Sequence, residues 1–329
     1  MTRPLIAVAA LGGTISMTPG GRIEDGVVPR LTAADLLGEL STDLPTDVRA
    51  ATLAGVSSAS MDYATLARCL AWGSEQVADG ATGLVVVQGT DTLEETAYFF
   101  ELAWPHDDVP VVITGAMRNP SLPSADGPAN LLASLTTAAD PRSRGALVVF
   151  DDDVHAARWV RKSHSSHLEA FSSTPAGPLG LVAEGSVHYF HPPAPRPPAL
   201  PPAAVSGLVP LLEAGLEDSG ELLSLVLAGG ARGVVIAAGG VGHVSTGTAD
   251  VIATADVPIV IATRTGAGPT FRATYGFHGS ESSLIRLGAT MAGWLDPRKS
   301  RVLLHLLLAG GASRARIEAE FRLRGDLDR

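Results

Sequence analysis

Four consecutive aliphatic residues, 84–87, run through Gln88 into Gly89-Thr90-Asp91 and then into an amphipathic stretch that begins at Leu93. So short an apolar run between turn signals predicts a buried strand of a parallel sheet, and the 3.6-residue pattern after it predicts a helix. The chain opens on the same arrangement: Leu5-Ile6-Ala7-Val8-Ala9-Ala10-Leu11 empties into Gly12-Gly13-Thr14-Ile15-Ser16. In open parallel sheets the crevice beyond the carboxyl ends of the strands receives the ligand, and a helix N-terminus there supplies unsatisfied N–H groups. Thr14 and Thr90 are therefore candidates for one site.

The same alternation continues. Apolar runs at 83–88, 109–114, 145–150, 233–238 and 259–263 each end at or just before Gly, Thr, Arg or Asp, with helix-like segments between them. Strand, helix, strand in succession specifies right-handed βαβ units. Helix starts are readable too: Thr92 and Glu95 form a candidate capping box, and Asp126 stands before Gly127-Pro128, with proline suited to a first turn. The stretch 191–202, His-Pro-Pro-Ala-Pro-Arg-Pro-Pro-Ala-Leu-Pro-Pro, can be neither helix nor central strand and predicts an exposed, stiff connector. The expectation is an α/β chain of two α/β domains with mainly parallel sheets. A larger N-terminal domain spans 1–190, a linker 191–204 and a smaller C-terminal domain 205–329.

Composition excludes several classes of function. At 329 residues, 46% hydrophobic and 18% charged, the chain can bury a large core. No apolar run reaches the ~18 to 20 residues of a membrane span, and no secretory leader is legible, so a cytoplasmic protein without a membrane partner is expected. Cys69 is the single cysteine, which rules out an intrachain disulfide and a cysteine metal cluster. A net charge of −10 without a basic stripe argues against nucleic acid and for a small-molecule substrate. His155, His164 and His167 beside Asp151-Asp152-Asp153 match no standard ligand spacing, so neither a metal nor another cofactor is expected. Gly239-Gly240-Val241-Gly242-His243 lacks the third glycine and the acidic partner of a dinucleotide turn. The leucines at 303, 304, 306, 307 and 308 read as a core helix.

The chemistry must come from the strand ends. Thr14 follows two glycines, which permit a tight turn and a close backbone approach, so its hydroxyl is either presented to a ligand or caps a first helix. Thr90-Asp91 carries the same two readings, and Ser57-Ser58-Ala59-Ser60 is a third polar loop that alone reads as a turn. A threonine nucleophile needs a base, and no Gly-x-Ser-x-Gly elbow occurs. Only two lysines are present, Lys162 and Lys299. A lysine can surrender its proton where arginine cannot, which singles out Lys162 just past a predicted strand, against the plainer reading of a surface lysine on a basic turn.

Taken together, Gly12-Gly13-Thr14-Ile15-Ser16, Gly89-Thr90-Asp91-Thr92-Leu93-Glu94-Glu95-Thr96-Ala97, Thr114-Gly115-Ala116-Met117-Arg118 and Lys162 resemble the bacterial L-asparaginase/glutaminase family. The likeness continues through Gly177-Pro178-Leu179-Gly180 to Gly293-Trp294-Leu295-Asp296-Pro297-Arg298-Lys299-Ser300. The resemblance implies hydrolysis of L-asparagine to L-aspartate and ammonia through an acyl-threonine intermediate, with glutamine as a second substrate. Thr14 would match the acyl-accepting nucleophile, and Thr90, Asp91 and Lys162 its relay. Ser58 would hold the α-carboxylate and Asp91 the α-amino group. Ala116 and the Thr90 backbone would supply the oxyanion donors. Glu281 would reach the neighbouring subunit's site, which implies a homotetramer built as a dimer of intimate dimers.

Two departures stand out. Ala59 occupies the place after the binding serine where the family usually has Gln or Glu, and the glycine-rich lid at 17–30, expected to be a flexible flap, lacks the family's tyrosine. These favour, as the alternative, a non-catalytic or weakly active amino-acid-binding homologue. The amidase subunit of an amidotransferase, which normally carries an extra N-terminal domain, ranks below both.

Overall fold

The computed structural model describes residues 3–19, 26–40, 44–202 and 207–327; the centre of the expected lid, 20–25, lies outside the described residues. The chain divides into two compact units, Met1–Ala199 and Leu200–Arg329. Each is a layered α/β body, the larger first, as the alternation predicts.

Among the described residues the N-terminal unit holds an eight-stranded sheet. Five strands are parallel, in the spatial order Asp47–Val56, Leu5–Gly12, Gly83–Val87, Val111–Thr114 and Ala146–Phe150. Three antiparallel strands, Asp153–Ala156, Gly180–Ala183 and Ser186–Tyr189, extend the last edge. The reversal falls at Asp151 and Asp152, whose φ angles of 50° and 65° make the two-residue turn that pairs Phe150 with Asp153. Aspartate tolerates this left-handed backbone, which gives the acidic run a role in the turn.

Strand residues alternate between the two faces. Val85 and Val87 join Ile6, Val8, Leu131 and Leu135 in a cluster under the helix Gly127–Ala139. Every residue of Gly83–Val87 is buried, because helices cover both faces and leave no side for polar residues. The first strand has the second in chain order on one flank and the third on the other. Winding thus reverses between Leu5–Gly12 and Gly83–Val87, and a crevice opens where the connections diverge. Thr14 and Thr90 stand just past these two strands.

In the C-terminal unit Leu211–Glu213, Val234–Ala238, Ile259–Thr263 and Thr290–Met291 form a wholly parallel sheet. The helix Pro297–Ala309 packs on it and buries Leu303, Leu304, Leu306, Leu307 and Leu308. The 239–243 segment closes on itself by a bridge between Gly239 and His243. No helix of the described residues is long and apolar enough to cross a membrane.

The proline-rich stretch is exposed at Pro195, Pro198 and Ala199. Arg196, its side chain 6% exposed, donates to the carbonyls of Trp104 (2.6 Å) and Glu101 (3.3 Å) and to Asp107 (2.9 Å). One guanidinium fastens the segment to the N-terminal unit, a bond that proline content alone could not foretell.

Candidate active site

Two glycines bring the strand ends together. Gly12 and Gly13 have φ of 107° and 87°, and a Cβ on Gly13 would fall 2.0 Å from Gly89 N. A Cβ on Gly89 would in turn meet Ser58 Oγ at 2.7 Å. Only glycine permits this approach. Thr14 follows Gly13 and Thr90 follows Gly89, so each threonine stands one residue beyond the contact. The reading of Thr14 as a helix cap fails: it begins a single 3₁₀ turn, Thr14–Ser16, capped at Gly13, and the chain passes into the strand Met17–Pro19. Among the described residues nothing hydrogen-bonds its half-buried hydroxyl, which is left presented.

Thr90 is buried and Lys162 Nζ donates to its Oγ1 at 2.8 Å; the same ammonium lies 2.8 Å from Asp91 Oδ1. Ser58 Oγ donates to Asp91 Oδ2 at 3.3 Å and accepts from the Asp91 N–H at 3.1 Å. The Lys162 ammonium beside Asp91 holds its carboxyl below the ordinary range, against the opposing effect of burial and with help from Ser58. Lys162 is set by backbone. It sits in the short strand Arg161–Lys162, paired with Phe171–Ser172, and its N–H donates to the carboxylate of the buried Glu94. The plainer reading, a surface lysine on a basic turn, is replaced by a lysine only 17% exposed and aimed inward.

Both expected helix caps are diverted to this site. Thr92 is the N-cap of Leu93–Ala103 but caps nothing with its side chain; its hydroxyl donates instead to Ser58 O at 2.9 Å. Asp126 likewise leaves Gly127–Ala139 uncapped and accepts from the N–H groups of Met117 and Arg118, both at 2.8 Å. Ala116 is buried just beyond the strand Val111–Thr114. Ala59 lies exposed at the centre of the 3₁₀ turn Ser58–Ser60, beside the buried Ser58. Sequence reading missed three residues here, Glu94, Gln88 and Asn130, and the true role of Asp126. A polar residue inside the apolar helix pattern, Asn130 above all, was the available signal.

Glu281 belongs to the C-terminal unit. Its carboxylate is fully buried, accepts from the N–H groups of Thr274 (2.7 Å) and Tyr275, and faces His243 Nε2 at 3.2 Å. Burial opposes its ionisation, but these donors prevail and keep its pKa low. The histidines of the N-terminal unit do not converge. His155 is buried against Ser173 at 2.9 Å, whereas His164 and His167 stack on each other, exposed, at 3.6 Å.

A presented hydroxyl, a second hydroxyl held by an ammonium, and an ionised carboxylate suit acyl transfer by a threonine nucleophile. Relatives agree. Residues 5–195 match the family model "Asparaginase, N-terminal", and 209–321 match "Glutaminase/Asparaginase C-terminal domain". A "Probable L-asparaginase" of Deinococcus radiodurans is 43% identical over 253 residues, 75% of this chain and 77% of that protein. "L-asparaginase 2" of Escherichia coli is 37% identical over 237 residues, covering 70% and 67%. The crystal structure of a "Probable Cytoplasmic L-asparaginase" from Campylobacter jejuni superposes with a TM-score of 0.85 at 29% identity, covering 98% of this chain and all of that one. With both family domains matched in order and relatives at this identity, the chain belongs to the asparaginase family.

Proposed function

We propose that this protein hydrolyses L-asparagine to L-aspartate and ammonia through an acyl-threonine ester, with glutamine as a second substrate. The observation that carries the reading is the position of Lys162 Nζ, 2.8 Å from both Thr90 Oγ1 and Asp91 Oδ1, next to the strand end that presents Thr14. In the first half-reaction the Thr14 oxygen bonds to the side-chain amide carbon, Thr90 being the other candidate nucleophile. The hydroxyl proton passes through the Thr90–Lys162 pair to the amide nitrogen, and the C–N bond breaks to release ammonia. Water then adds to the ester, and the C–O bond to threonine breaks to give aspartate. Backbone N–H groups of Thr90 and Ala116 meet the oxyanion, an interaction worth about 3–4 kcal/mol per donor in such sites. Ser58 takes the α-carboxylate and ionised Asp91 the α-amino group.

Glu281 of one subunit contributes to its neighbour's site in a tetramer of paired dimers, and the protein works in the cytoplasm. The Campylobacter jejuni neighbour's name supports the cytoplasmic reading, and the likeness of the chain's motifs to the asparaginase family supports the shared site. The test is ammonia release from asparagine by Thr14→Ala and Thr90→Val. Each should lose turnover by about 10³-fold or more, with thermal melting and assembly unchanged. Normal turnover in either folded variant contradicts the assignment.

A further inference from the structure

We infer that Gln88 and Asn130 are positioning residues that aim the two backbone donors of the oxyanion site. The inference rests on the proposed function, in which the N–H groups of Thr90 and Ala116 meet the developing negative charge. In a planar trans peptide the C=O and the following N–H point in opposite directions, so holding the carbonyl fixes the line of the donor. Gln88 Nε2 donates to Gly89 O at 3.2 Å, and Asn130 Nδ2 donates to Gly115 O at 3.0 Å. These are the carbonyls of the Gly89–Thr90 and Gly115–Ala116 peptides. Two separate elements, a strand end and a helix, thus apply the same device to the two donor peptides.

Three further observations support it. Both peptides begin with glycine, which leaves the peptide plane freer to rotate than any other residue would, so a tether has something to restrain. Gln88 and Asn130 are buried, at 0% and 2% exposure. Among the described residues buried Gln88 Oε1 has no hydrogen-bond partner, so the carboxamide sits there at a cost that an apolar side chain of the same length would avoid; what it retains is the donor. Asn130 is fully engaged: its Oδ1 accepts from Asp151 N at 3.0 Å, and its Nδ2 also reaches Asp126 Oδ2 at 3.2 Å. Asp126 holds the next two N–H groups, those of Met117 and Arg118. The loop after Thr114 is therefore fixed at three successive peptide groups. The two donor segments also touch, since a Cβ on Gly115 would lie 2.4 Å from Gln88 O.

Donors aimed at an oxyanion strengthen as charge develops and contribute little to ground-state binding, so their loss lowers kcat and spares KM. Gln88→Met and Asn130→Asp should each lower kcat by 10- to 100-fold, with KM for asparagine and Kd for L-aspartate within twofold of the parent. Gln88→Glu separates aiming from packing: its carboxyl donates to Gly89 O only when protonated, so its kcat should rise relative to the parent as pH falls. It also serves if Gln88→Met fails to fold. The aldehyde analogue of the substrate, to which the threonine hydroxyl adds as a tetrahedral hemiacetal, should bind the parent more tightly than L-aspartate and lose at least tenfold in both variants. If the parent shows no preference for the aldehyde, the acyl-threonine reading fails and this inference with it. If the parent prefers the aldehyde and the folded variants keep that preference, or if KM and Kd rise as much as kcat falls, only the role of Gln88 and Asn130 is overturned.

Discussion

Gly13 lies against Gly89 so closely that a methyl group on the first would sit 2.0 Å from the backbone nitrogen of the second. The contact joins the strand ends at the point where the sheet's winding reverses, and each glycine precedes a threonine of the site. Gly13→Ala should therefore cost about 1–3 kcal/mol from its left-handed backbone alone, with more from the collision, and should abolish ammonia release by parting Thr14 from Thr90. Gly80→Ala is the control: φ is 97° there too, but nothing lies within 4 Å of the added carbon. A melting scan beside an ammonia assay checks the pair, with Gly80→Ala expected to lose stability and keep its activity.

Lys162→Met should lower kcat by about 10²- to 10⁴-fold, the usual range for loss of a proton-transfer group. It should also change the acid behaviour of the site. Asp91 has a folded pKa below its unfolded value because Lys162 stands beside it. Its contact is therefore fully present above the ordinary carboxylate pKa of about 3.9, and is lost as pH falls through the lower folded value. In the Thr14→Ala background, asparagine binding should persist to lower pH with Lys162 present than with methionine in its place. Calorimetric titration across the acid range measures the shift, and equal midpoints in the two proteins would reject the pairing.

Ala59 offers only a methyl group beside the buried Ser58. Ala59→Gln should restore a hydrogen bond to the substrate's amino end and lower KM for asparagine by about 2- to 10-fold, the effect of one added bond of about 0.5–1.5 kcal/mol. Steady-state kinetics decide it. An unchanged or poorer KM would show that the pocket does without this contact.

Glu281→Ala removes the acceptor of the Thr274 and Tyr275 N–H groups and the partner of His243. A buried donor left unsatisfied costs about 1–3 kcal/mol, so the C-terminal unit should melt measurably earlier. Glu281→Gln retains an acceptor oxygen and should recover much of that loss. If Glu281 also serves a neighbouring subunit's site, the Gln variant will be folded yet impaired in KM.

Much of this molecule was legible in the sequence wherever a residue's job is local. The apolar runs became strands within one or two residues of their expected ends, because four buried aliphatics between glycines admit little else. The double glycine before Thr14 signalled a close approach. What could not be read were choices between partners. Thr92 and Asp126 have the right identities and positions for caps, but the Thr92 hydroxyl donates to Ser58 O, and the Asp126 carboxylate accepts from the Met117 and Arg118 N–H groups of the preceding loop instead. Glu94 stands in the first turn of its helix, and its partner, the N–H of Lys162 in the paired strands Arg161–Lys162 and Phe171–Ser172, lies far along the chain. Gln88 passed as the last residue of a strand, since no pattern reveals which carbonyl a carboxamide will bind.

Arg196 gives the proline-rich run a consequence for dissecting the gene. Its guanidinium satisfies the carbonyls of Glu101 and Trp104 just where the helix Leu93–Ala103 ends, so that helix terminus is completed by a residue ninety positions downstream. A fragment truncated at 190 would leave those carbonyls bare and fray the helix that carries Glu94 at its other end. One cut after Ala199 would keep the clasp, and with it the scaffold beneath Lys162.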